Sequence, residues 1–324
     1  MRYLPHALLL FAGLAAAQTG AGTFTGPVAG YVFDRGAHAL RPIVGIPGSA
    51  SVGSPMDAGY TFNAAYVAPR QDSFAGVSTD GATHLFSITA AGLKENAVDG
   101  LMASATRVTF SPNGTSAALY ANGQAQIITG LPGAPAIVAS VSLGEINQRG
   151  ARKLPPAMAV SDDGAYLLST ATGIVQLAGK DGVVRPVMKA GADAVLAFAP
   201  NSHDAAIAAR GTGAVLIRDV AGTAAQQPLA SDGPAFNATA GIAFSADASH
   251  VFLASASQQA VISFDLSGNQ SSIACNCAPA ELTSMGSSFR LTELSSDPLW
   301  LLDAGAAGPR VVFVPALRAT QAAQ

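Results

Sequence analysis

Two cysteines, a pair of histidines, a pair of adjacent aspartates and one short basic stretch are the residues whose types and spacing could do chemistry. Cys275 and Cys277, in SIACNCAPAEL, are the only cysteines of the chain. Residues two apart on an extended chain share a face but stand rather far apart for a bond. A local disulfide, an exposed thiol pair and half of a metal site all fit this spacing. An even count in an exported protein favours the local disulfide, which is the expected pairing. One C-x-C with no histidine nearby is too few ligands for structural zinc, and no metal site is expected.

The five histidines are His6, His38, His84, His203 and His250. His203 and His250 follow APNS and SADAS, matching places in successive repeats. Two imidazoles on one rim could begin a metal site, but spacing supplies no third ligand, so they are read as exposed hairpin residues. Asp162-Asp163 offers two carboxylates, yet adjacent residues in a strand or turn point apart, which suits turn stabilisation better than acid–base cooperation. The chain has no G-x-S-x-G elbow, P-loop, dinucleotide fingerprint or H-E-x-x-H, so no catalytic residue and no cofactor is assigned. The stretch GEINQRGARKLPP concentrates Arg149, Arg152 and Lys153 between two strand-like runs. These three are the candidate binding residues, for an anionic ligand or partner; the alternative is a solvated basic loop.

The elements that must position them come from a repeated phrase. VTFSPNGTSAALYA, residues 108–121, has two short runs around a Pro-Asn-Gly turn, and five partners follow its plan: AYVAPRQDSFAGVS, AMAVSDDGAYLLST, LAFAPNSHDAAIAA, IAFSADASHVFLAS and the worn LTELSSDPLWLLD. Taking Val67, Phe110, Val160, Phe198, Phe244 and Leu294 as equivalent, the spacing averages about 45 residues, near the period of a four-stranded propeller blade. Third runs follow, such as QAQIITG, GIVQLAG, AVLIRDV and AVISFDL, each bounded by Gly, Asn or Asp as strands are. Asn113-Gly114 and Asp163-Gly164 are the strongest hairpin turns, since tight turns need residues that tolerate positive φ.

Composition sets outer limits. Apolar residues make up 49% and charged residues 11% of 324, enough for a core and too little charge for a disordered chain. Seventeen Lys and Arg against twenty Asp and Glu leave no basic excess for a phosphate backbone, so nucleic acid is not an expected partner. The start, MRYLPHALLLFAGLAAAQTG, has a cationic end, an apolar run too short to span a bilayer and small residues at 15–17. Residues 1–17 are therefore expected to be a signal peptide, placing the mature chain in the periplasm or outside the cell.

The phrase F-S-P-N-G between two short strands, Phe110 to Gly114, resembles the repeat of bacterial WD40-like, YVTN and lactonase-like β-propellers. The resemblance runs from about Val28 to Pro315, although the Gly-His and Trp-Asp pairs of WD40 repeats and the YVTN tetrapeptide are missing. It implies an all-β fold: one propeller over 18–324 with repeats near 63–98, 106–141, 157–187, 193–229, 240–274 and 287–315. Six blades are expected, with 28–45 as closing strands that complete the C-terminal blade; seven would follow if 28–45 formed a reduced blade of its own. The expected role is a monomeric binding or scaffold module for an unknown protein or small molecule. The alternative is a lactonase-like hydrolase at the central channel, which a cluster of Asp193, Glu293 and Arg290 at the channel mouth would favour.

Overall fold

The computed structural model describes residues 26–143, 155–171, 173–191, 193–305 and 308–316. Apart from one short 3-10 turn, Pro234–Phe236, the regular elements are strands, grouped into seven antiparallel sheets that follow one another along the chain. Blade 1 has three strands, Val28–Asp34, Ala39–Ile46 and Ser49–Val52. The other six have four strands each, hydrogen-bonded in chain order, and their innermost strands are Phe62–Val67, Arg107–Phe110, Met158–Val160, Val195–Phe198, Thr239–Phe244 and Thr283–Met285. Blade 1 packs between blades 7 and 2, so the sheets form a ring.

The count is seven, not six. Val67, Phe110, Val160, Phe198 and Phe244 each end an innermost strand, as the repeat requires. Leu294 does not: the innermost strand of blade 7 ends at Met285, and Ser295 to Asp297 turn the chain between its second and third strands. Nor do residues 28–45 complete the C-terminal blade, which has its own four strands. They pair with each other and with Ser49–Val52. The reason the phrase undercounts is directional. The turn after Val28–Asp34 sits at the beginning of the blade 2 inner strand, where the Phe62 N–H donates to the His38 carbonyl. Val28–Asp34 thus runs against the neighbouring innermost strand, in the sense of a second strand. Among the described residues blade 1 has no first strand, and therefore no first hairpin to carry the phrase.

That phrase encodes a turn. Ser111, Ser161 and Ser245 each accept, through Oγ, the N–H of the residue five ahead, at 3.1, 3.0 and 2.9 Å. Asp163 and Asp247 then take the hydroxyl proton of their own serine and a further backbone N–H. Gly114 and Gly164 occupy the left-handed position at φ 66° and 64°. Hydroxyl and backbone donors hold the Asp247 carboxyl down to about 2.

Burial lies between blades rather than within them. Seven apolar clusters correspond to the seven blade interfaces. Ala117, Ala118, Ala205 and Ala206 are fully buried on second strands, where small side chains let neighbouring sheets converge. Blade 1 is anchored on both faces. Val32 and Ile43 pack with Leu299, Leu301 and Val314 of blade 7, and Leu40 packs with Phe62, Phe74 and Phe86 of blade 2.

Ala248 holds the position that glycine fills in blades 3 and 4, at φ 57°. A side chain there costs roughly 1 kcal/mol, partly offset by the greater chain entropy of glycine when unfolded. Ala248→Gly should therefore raise stability by up to about 0.5 kcal/mol in urea denaturation; a lower stability would contradict this account of the turn.

Candidate functional site

The ring encloses a channel with a cavity of about 650 Å³, walled by the innermost strands of all seven blades. Its wall is uneven. Blades 4 to 6 contribute small and apolar residues such as Ala159, Leu196, Ala197 and Ala243, whereas blades 7, 1, 2 and 3 contribute Glu281, Arg290, Glu293, Arg35, Tyr66 and Arg107. Most of these charges belong to the end where innermost strands begin, because Glu281 precedes Thr283–Met285, Arg107 opens Arg107–Phe110, and Arg35 follows the reversed strand of blade 1.

Pairing separates these charges into two kinds. Arg290 grips Glu281 with two hydrogen bonds, 2.6 and 2.8 Å. Arg35 meets Glu293 at 2.6 Å in an exposed pair. Arg107 has no ion-pair or hydrogen-bond partner for its side chain among the described residues, although it is largely withdrawn from solvent. Burial lowers its pKa, but a guanidinium stays charged at neutral pH. Beside it, burial raises the Tyr66 phenol against the opposing pull of Arg107 and Arg35, so the hydroxyl remains a neutral donor; it contacts the Thr106 carbonyl at 3.4 Å.

The opposite end, where the first hairpins turn, is laced together. Asp162 accepts the backbone N–H of Asn113 from blade 3 at 2.7 Å and that of Asn201 from blade 5 at 2.8 Å, while the Asn113 amide donates to the Asn201 side chain at 2.7 Å. Across blade 1, the Gly286 N–H donates to the Pro69 carbonyl at 2.7 Å, and Gln71 accepts the Tyr31 N–H at 2.7 Å. Asp163 alone does the turn work foreseen for the aspartate pair; Asp162 ties three blades.

Of the residues singled out in the sequence, Arg149, Arg152 and Lys153 lie outside the described residues. Cys275 and Cys277 are joined to each other, Cα atoms 5.0 Å apart, with Cys275 buried in the seam between blades 6 and 7. Arg290 and Glu293 reach the channel, each bound to a partner, and Asp193 does not line it. His203 meets Asp163 at 3.0 Å and His250 meets Ser249 at 2.8 Å, on separate blades. No group of three potential metal ligands occurs among the described residues.

Sequence reading passed over Arg107, although TRVTF places it two residues from Thr109, on the same side of a short strand just before the repeated phrase. It also passed over His84. Its Nδ1 lies 2.7 Å from Glu95 and its Nε2 3.2 Å from the Ser78 hydroxyl, the order of a nucleophile relay. Ser78, however, is 3% exposed, and its one proton faces Asp80 at 2.5 Å. That bond, with the Ala82 N–H, holds the Asp80 carboxyl low. The arrangement locks the edge of blade 2 and exposes no nucleophile.

No protein-family model matches the chain, and no curated protein sequence matches it. Solved structures do. A candidate 6-phosphogluconolactonase from Bacteroides fragilis NCTC 9343 is 14% identical with a TM-score of 0.58, covering 89% of this chain and 92% of its own. Virginiamycin B lyase from Staphylococcus aureus is 12% identical, TM-score 0.54, covering 79% and 85%. Sqt1 from Chaetomium thermophilum, solved bound to the N-terminus of ribosomal protein L10, is 16% identical, TM-score 0.52, covering 90% and 84%. The fold is a seven-bladed β-propeller. At these identities the likeness is one of fold, and it spans two neighbours named for catalysis and one bound to a protein segment.

Asp162 is the acceptor on which three turns converge, so Asp162→Ala should cost about 1–3 kcal/mol, because two N–H groups lose a charged partner. Asp162→Asn keeps one oxygen and should cost roughly half as much by the same reasoning. Equal stability of both variants with the parent in urea denaturation would remove the clamp.

Proposed function

We propose that this chain is an exported β-propeller binding module whose central channel takes an anionic ligand at Arg107. The observation that carries this is the state of the charges on the wall. Glu281 and Glu293 are each held by an arginine, which leaves them poorly placed as acid or base, whereas Arg107 has no such partner among the described residues and stands beside the neutral Tyr66 hydroxyl. A positive group without a counter-charge among the described residues, in a concave wall whose other charges are paired, is the recognition pattern of a ligand site. The distant likeness to a lyase and a candidate lactonase supports a site in the ring, and the Sqt1 complex supports a propeller that receives a protein segment. Export is supported by the first seventeen residues.

Inorganic phosphate and succinate are the probes. Titrated into isotope-labelled protein, each should move the amide signals of Tyr66 and Thr109 with a saturable, millimolar midpoint. Arg107→Ala should weaken that midpoint at least tenfold, while Arg210→Ala, on the exposed turn of blade 5, should leave it unchanged. An unchanged midpoint in Arg107→Ala would sink the proposal. Export has its own check: protein recovered from the periplasm or medium should begin at Gln18 and should take up alkylating reagent at Cys275 and Cys277 only after reduction. Recovery of uncleaved chain in the cytoplasm would count against it.

A further inference from the structure

We infer that the open inner edge of blade 1 accepts an extended acidic peptide, which supplies the innermost strand that this blade lacks among the described residues. The inference rests on the channel being a binding site and names the class of ligand. In blades 2 to 7 the main chain that faces the axis belongs to a first strand whose other edge is paired with a second strand. In blade 1 the strand at the axis is itself of the second kind, so a row of peptide groups that would be paired inside a complete blade faces the cavity instead.

The row can be read from the register. Tyr31 lies opposite Pro42, which has no N–H, and Phe33 lies opposite Leu40. The Tyr31 N–H points away from Ala39–Ile46, since it donates to Gln71. Period two then turns the N–H and C=O of Phe33 the same way. Outside the strand ladder, neither group of Phe33 has a hydrogen-bond partner among the described residues. Tyr31 and Phe33 both line the cavity. Gln71 caps the row at Tyr31, so the free stretch runs from Phe33 toward the end bearing Arg35 and Arg107. An unpaired edge of this kind is a template for strand addition, in which main-chain hydrogen bonds provide affinity and neighbouring side chains provide selectivity.

Charge chooses the occupant. The end of the channel next to Phe33 carries Arg107, partnerless among the described residues, and Arg35, whose exposed pair with Glu293 gives it up at little cost. A segment running antiparallel to Val28–Asp34, as first strands run against second strands in the other blades, would pair with Phe33 and carry an aspartate or glutamate to Arg107. The cavity of about 650 Å³ holds roughly four or five residues of extended chain, by the volume an ordinary residue occupies at protein packing density.

The probe is a synthetic set of acetylated, amidated pentapeptides with aspartate or glutamate fixed at the second position. Members should bind the full chain and slow amide exchange at Phe33 at least tenfold. N-methylation of the central peptide bonds, which removes backbone donors and keeps the charge, should weaken binding tenfold or more. Arg107→Ala should do the same, and the asparagine or glutamine version of the peptide should follow it. If phosphate and succinate bind but no peptide does at millimolar concentration, the strand proposal falls and the anion site stands. If peptides bind equally well after N-methylation, the peptide is held as an anion and the strand proposal falls. If the Phe33 N–H is already protected from exchange in the protein alone, the edge is closed and the proposal falls as well. If neither the small anions nor the peptides bind, both readings fail together.

Discussion

A twisted sheet buries nothing by itself, and the whole molecule depends on each blade finding an apolar neighbour on both faces. Seven interfaces meet that requirement here, and they are built from aliphatic and aromatic side chains of the middle strands. The hydrogen-bonded ladders set the shape of a blade, but side-chain burial between blades sets the ring. This division explains why the chain tolerates a blade with three strands. Blade 1 keeps the strands that carry Val32, Leu40 and Ile43, the residues its neighbours need, and what it lacks among the described residues is a first strand at the axis.

How much of this was legible in the sequence follows from the same division. Turns are local, so five innermost strands could be ended to the residue from a short turn phrase, such as Ser-Pro-Asn-Gly, Ser-Asp-Asp-Gly or Ala-Pro-Asn-Ser, and the run of apolar residues before it. The sixth anchor went astray because Ser295-Ser296-Asp297 has turn chemistry without being the first hairpin of its blade. Blade 1 escaped the count because a phrase that marks a first hairpin cannot report a blade that has none among the described residues. Strand direction is a property of the assembled ring, and nothing in AGYVFDR states which way it will run.

The site was less legible than the fold. Arg149, Arg152 and Lys153 stand together in the sequence, whereas the channel groups residues from different blades. Arg107 and Tyr66 are 41 positions apart and belong together only because each sits on an innermost strand. The Ser78, His84 and Glu95 relay shows the converse: three strands of one sheet bring together a familiar order of side chains, and the placement of a single hydroxyl proton on Asp80 removes its chemical meaning.

The seam beside blade 1 gives the ring a mechanical character. Every other pair of adjacent blades is joined by a described strand-to-strand connection or by the chain leading into the next blade, but blades 7 and 1 meet through side chains alone among the described residues. In mechanical terms the molecule is a split washer. Its cut is pinned at one face, where the Gly286 N–H and Gln71 fasten blade 7 and blade 1 to the turn at Pro69, and closed at the other by the solvent-facing Arg35 and Glu293 pair. An exposed ion pair is worth little, so the face closed by Arg35 and Glu293 is the weaker side of the cut, and parting it would break no ladder hydrogen bond.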